Sequence, residues 1–140
     1  MKGLRAILIL IGAGGSGCAV LNTVTLGDLY GRWRVSEVVG YARVGAGIPH
    51  AKEILGKTVA NSADVVSFNG DFCRPNVGFR VFEADTAKDL SEKSGATRVD
   101  AALPPRTPLL TGENCIEFYW LNQYKIEFDD DGVFFRAYRE

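Results

Sequence analysis

Few residues in this chain are able to carry chemistry. Its 140 residues include one histidine, one methionine and three cysteines, which leaves little material for a metal centre or a Cys/His catalytic pair. Charge of one sign is also lacking. With 16 basic and 17 acidic residues the formal net charge is -1 and no long like-charge block occurs, so the electrostatic footprint of a nucleic-acid binder is missing. The apolar run Ala6 to Ile11 falls well short of the roughly 20 residues a membrane-crossing helix needs. There is no internal repeat and no low-complexity tract. A chain of this length supports one hydrophobic core, and one domain is expected.

What is present begins with the leading segment. Met1-Lys2-Gly3-Leu4-Arg5 carries two cations, Ala6 to Ile11 is apolar, and Gly12 to Gly17 are small, the order of a secretory signal. The alternative is a buried first strand, AILILI. The Gly-rich string Gly12 to Gly17 does not end in Gly-Lys-Ser/Thr, which speaks against a phosphate loop. Ser16-Gly17-Cys18 resembles the end of a bacterial lipobox, in which cleavage before the cysteine accompanies lipidation of its sulfur. That resemblance implies a membrane tether through Cys18, whereas an ordinary signal would be cut just after it. In both cases Cys73 and Cys115 remain as an even pair, and an oxidising compartment favours a disulfide between them. The expected division is a signal segment at 1–18, a tether at 19–26 and a folded domain at 27–140, in a periplasmic or membrane-anchored protein.

The rest of the chain reads as short strands. Arg32 to Val39 opens with strict alternation that puts Trp33, Val35 and Glu37 on one face. Gly45 to Pro49 is a break, and His50 to Leu55 suits one or two helical turns ending at Gly56. Thr58 to Asn61 and Asp64 to Phe68 are short strands, with Asn69-Gly70 a hairpin signal. Phe79 to Glu83 alternates. A short helix is expected over Thr86 to Lys93, capped by Asp85 or Thr86. Leu103 to Pro108 holds three prolines and reads as a loop, since each proline removes a ladder donor. Cys115 to Trp120, Tyr124 to Phe128 and Val133 to Arg139 close the chain as an antiparallel meander. The fold class is mainly β, a small antiparallel barrel of six to eight strands with one or two short helices.

Leu29-Tyr30-Gly31-Arg32-Trp33 resembles the opening of lipocalins, whose first strand begins with Gly-x-Trp, here Gly31 and Trp33. The resemblance implies that Trp33 plugs one end of a barrel and that a basic residue of the last strand, Arg136 or Arg139, packs across its indole. The polar insert from Asp85 to Pro108 has no counterpart in the usual hairpin series of that family. Phe68-Asn69-Gly70-x-x-Cys73 and Asp131-Gly132-Val133-Phe134-Phe135 also resemble elements of small exported bacterial proteins.

Catalytic material is thin. His50 beside Pro49 suits a surface or helix-capping role, and a disulfide would remove Cys73 and Cys115 as nucleophiles. Asp129-Asp130-Asp131-Gly132 lacks the downstream glutamate of a calcium loop and reads as a hairpin turn. No cofactor, metal or catalytic residue is expected. The aromatic residues along the last three strands exceed what one face of a small meander requires, and Phe118, Trp120, Tyr124, Phe134 and Tyr138 are the candidate ligand contacts. The expected function is non-catalytic binding of a small apolar ligand or a protein partner. The alternative is an accessory or inhibitory subunit that docks on a larger exported or membrane enzyme.

Overall fold

A computed structural model describes residues 23–140. The expected signal segment, Cys18 and residues 19–22 of the tether lie outside them. Within the described part, Thr25 and Asp28 form a reciprocal capping box around a 3-10 helical turn, Leu26–Leu29. Val24 and Leu26 already pack against the core.

The elements that follow are β1 (Gly31–Tyr41), α1 (Gly47–Ile54), β2 (Thr58–Asn61), β3 (Val66–Phe68), β4 (Asp71–Cys73), β5 (Arg80–Asp85), α2 (Thr86–Lys93), α3 (Arg98–Ala101), β6 (Arg106–Thr111), β7 (Phe118–Asn122), β8 (Lys125–Asp130) and β9 (Val133–Arg139). The nine strands form one antiparallel sheet in the order β4-β3-β2-β1-β9-β8-β7-β6-β5. It curls into a half-barrel whose two ends are the edges of β4 and β5. Two register shifts in β1, between Val35 and Glu37 and between Val38 and Gly40, add the local bend that bulges give a twisted strand. The first shift also corrects the alternation read from sequence. Trp33 and Val35 face the core, but Glu37 turns outward, where its carboxylate accepts from the Tyr138 hydroxyl at 2.9 Å.

Nine strands exceed the six to eight expected. One addition is β4, three residues reached through the Asn69-Gly70 turn, whose φ values of 51° and 88° are those of a two-residue hairpin turn with both central residues left-handed. The other is β6, which overturns the loop reading of its prolines. Pro104 and Pro105 do precede the strand, but Pro108 lies inside it, opposite Glu83 of β5. The ladder with β7 involves only Leu109 and Leu110, so the missing donor of Pro108 costs nothing on that side. Among the described residues three α-helices stand where one or two were expected.

The sheet is buried on both faces. On the concave face Phe68, Phe118 and Phe135 surround Phe128 with ring centroids 5.4, 5.5 and 5.6 Å away. Trp33, Val35, Val59, Ile126, Val133 and Ala137 continue that core, and α1 adds Ala51 and Ile54. On the convex face α2 and α3 lie over Leu109, Tyr119 and Phe134 through Leu90, Ala96, Ala101 and Leu103. Asp85 caps α2 by accepting from the Lys88 amide. The close approach of α3 to β1 demands glycine, because a Cβ on Gly40 would collide with the Asp100 carbonyl.

A disulfide joins Cys73 of the β4 edge to Cys115, just before β7. It therefore staples one end of the curled sheet to the opposite wall. With the cysteines 42 positions apart, loop entropy gives the link about 4 kcal/mol of stabilisation. The double variant Cys73→Ser/Cys115→Ser should lose about that much in urea unfolding while keeping the far-ultraviolet spectrum of a β-protein. An unchanged midpoint would mean that the seam is held by packing alone.

Candidate functional site

One end of the half-barrel is plugged. Trp33 is fully buried, its Nε1–H donates to the Leu29 carbonyl at 3.0 Å, and the Arg139 guanidinium lies 4.0 Å from the ring centroid. Arg139 also donates to the carbonyls of Gln123, Tyr30 and Asp28 at 2.9, 2.7 and 2.6 Å. Of the two arginines considered for this position, Arg139 occupies it. Arg136 points to the convex face, where it bonds Glu127 at 2.9 Å and the Ala102 carbonyl at 2.8 Å.

The five aromatic residues singled out in the sequence do not converge on one cavity. Phe118 is inside the concave core and Phe134 is inside the convex one, both fully buried. Tyr138 lies on the convex face beside Glu37, with the Lys125 ammonium 5.8 Å from its ring. Only Trp120 and Tyr124 come together, with Arg139, in an open cleft at the plugged end. Trp120 meets Trp33 edge to face at 6.5 Å.

At the opposite end, between the β3–β4 hairpin and residues 114–116, a cavity of about 370 Å³ remains. Its walls are Val66, Phe68, Ile116 and the disulfide, and its polar groups come from Asn69, Asp71, Asn114 and Asp130. Asp130, at the last position of β8, is also bound by His50 of α1, Nε2 to Oδ2 at 2.8 Å. The His50 ring packs edge to face on Phe135 at 6.2 Å. His50 is therefore neither a free surface residue nor a cap but half of a part-buried pair. Sequence reading missed this site because its residues come from four separate segments. The one available signal was the Asn69-Gly70 turn close to Cys73.

A second polar cluster lies on the convex face. The Tyr119 hydroxyl donates to Asp89, and Lys93 bridges Asp89 and Glu117. Burial and the bond to Asp89 push the Tyr119 phenol further up. Burial disfavours the Lys93 cation, but its bonds to the two carboxylates outweigh that and raise its pKa. Both groups are thereby held in their resting protonation states, the opposite of an activated nucleophile or base. Among the described residues no group of three or more His, Cys, Asp or Glu is placed to hold a metal ion.

No protein-family model, curated protein or solved structure matches this chain. The site is therefore argued from its own geometry.

Glu127 gives this convex face a measurable pH response. Its side chain is fully buried, one oxygen accepts from Arg136 and the other has no partner. Burial pushes its carboxyl from the ordinary 4.5 up to about 7, against the pull of Arg136. A raised folded-state value means that the protonated form favours the fold. This contribution is complete below about pH 4.5 and disappears as the pH rises through about 7. Glu127→Gln should remove a loss of about 3 kcal/mol across that window. Parallel stability–pH curves for the two proteins would refute the assignment.

Proposed function

We propose that this protein is a non-catalytic binding protein, an exported half-barrel of lipocalin-like kind that seats the apolar body of a small molecule in the cavity beside the disulfide. The observation that carries this reading is the position of that space. The concave interior is filled with aromatic rings, yet about 370 Å³ remains where Val66, Phe68 and Ile116 form a wall and a few polar groups converge, a combination and size typical of small-molecule sites. The lipocalin likeness rests on Gly31, Trp33 and the overlying Arg139. In this reading residues 1–18 direct export, and Cys18 either carries a lipid or leaves with the cleaved segment. The Cys73–Cys115 disulfide supports an oxidising compartment such as the periplasm.

A second reading, docking on a larger exported or membrane enzyme, is favoured by exposed apolar residues in the loop before α1 and in its first turn. Val44 and Ile48 are 86% and 62% exposed. Ile48 also joins Tyr41 and Pro49 along an open groove.

Filling the cavity separates the two. Ile116→Trp adds bulk to a partly buried wall and should abolish uptake of a solvatochromic apolar dye, followed by its fluorescence, with little change in stability. Val44→Asp/Ile48→Asp should leave that uptake intact. Dye binding that survives Ile116→Trp but is lost in the loop variant would move the function to the loop.

A further inference from the structure

The polar side of the cavity is acidic. Asp71 stands on one lip, on β4, and Asp130 on the other, at the end of β8, while Asn69 and Asn114 complete the rim. None of the lining residues is Lys or Arg. The nearby arginine, Arg74, is turned away toward Asp64, 3.9 Å off. An anionic ligand would meet two carboxylates here, with only the His50 ring on one of them. A neutral one would leave them without use. A cation with an apolar body matches both halves, since the aromatic edge of Phe68 and the aliphatic Val66 and Ile116 accept the body and the carboxylates accept the charge.

Building on the binding function proposed above, we propose that the site selects an amphipathic cation, an organic ammonium whose head sits between Asp71 and Asp130, and that His50 competes with it for Asp130. Asp130 has two oxygens. Oδ2 accepts from His50 Nε2 at 2.8 Å, and Oδ1 remains for a ligand. When His50 carries a proton, its charge neutralises Asp130 and repels an incoming ammonium. When His50 is neutral it still donates one hydrogen bond, but the carboxylate keeps its charge for the ligand. Binding of the cation therefore weakens when His50 holds its proton and strengthens when the ring gives it up, because both compete for one carboxylate.

The charged groups around the pair belong to three elements. The β8–β9 hairpin carries Asp129, Asp130 and Asp131, β4 carries Asp71, and α1 carries Lys52 and Glu53 beside His50. Asp129 faces the other side of the sheet, where burial raises its carboxyl above the ordinary value while a bond from the Gly132 amide opposes this. Its protonation contributes a background that a His50 variant leaves untouched.

The test uses a matched pair of probes, 2-phenylethylammonium and 2-phenylethanol, of nearly equal size and differing in charge. Titration of the oxidised protein, followed by amide shifts in two-dimensional NMR, should place both near Phe68 and Ile116. At pH 8 the ammonium should bind about tenfold tighter, the worth of one charge-assisted hydrogen bond. At pH 5 most of that preference should vanish. Asp130→Asn should remove the preference at both pH values while still binding the alcohol, which also reports that its cavity is intact. His50→Gln, which keeps a donor without a charge, should hold the preference at its pH 8 level throughout. Equal affinity for the two probes in the unmodified protein overturns the cation selectivity and leaves the binding function standing. Failure of both probes to bind overturns the binding function and this inference together. A pH dependence that persists undiminished in His50→Gln overturns the competition.

Discussion

Trp33 and Arg139 join four separate parts of the chain, the turn before β1, β1 itself, the β7–β8 turn and β9. The indole is sealed from water, bonded to the turn that precedes β1 and covered by a guanidinium from the last strand. That same guanidinium holds carbonyls at Asp28 and Tyr30 before β1 and at Gln123 in the β7–β8 turn. A cation over an aromatic face contributes about 0.5 to 2 kcal/mol, and the three carbonyls are reached by three separate nitrogens of one planar fork, which the single nitrogen of a lysine does not offer. The larger effect is geometric. With Arg139 opposite Trp33 in the β1–β9 ladder, the register of the longest strand pair is anchored at one end, and a slip by one residue would turn the whole Val133-Phe135-Ala137 set away from the concave core.

From that anchored pair the two faces of the sheet follow. β9 sends Val133, Phe135 and Ala137 inward and Phe134 outward, and β7 sends Phe118 inward and Tyr119 outward. An antiparallel sheet with apolar groups on both faces needs a cover for each. The barrel curl supplies one, and the polar segment between β5 and β6 supplies the other by folding into α2 and α3. The aromatic surplus along the last strands is thus consumed by two cores. Glu127 and Arg136 mark where the outer cover is incomplete, since a buried carboxylate needs a partner and has found only one for its two oxygens.

Most of the strands were legible in the sequence because alternation and two-residue turns are local signals. Trp33-Val35, Asn69-Gly70 and the final meander are written within a few residues of one another. The failures were non-local. Whether Pro108 breaks a ladder depends on how far β7 extends beside it, and whether Glu37 faces inward depends on a bulge that only the pairing with β9 defines. The spread of the aromatic residues over two faces depended on α2 and α3 as a second cover, which no periodicity in β7 or β9 announces. The pairing of Cys73 with Cys115, by contrast, was legible, because the sequence reading set Cys18 apart in the leading segment and so left two thiols to be joined. The cavity was invisible since Phe68, Asp71, Ile116 and Asp130 share no local pattern.

The seam explains why the open space lies where it does. A sheet closed by hydrogen bonds between its first and last strands would bring β4 and β5 side by side and leave the interior to be filled by side chains alone. Here β4 has three residues and β5 has six, so the two edges cannot pair along their length. A single covalent link spans the gap and reaches Cys115 rather than a strand. Such a staple holds the two walls together without supplying the side chains that a strand would project between them. Space is left beside it, faced by residues of β3, β4 and the end of β8 and by the segment 114–116 that precedes β7. Carboxylates are tolerated there because the opening to solvent spares them full desolvation. The mismatch of edges that keeps this sheet from closing therefore also leaves the space beside the disulfide.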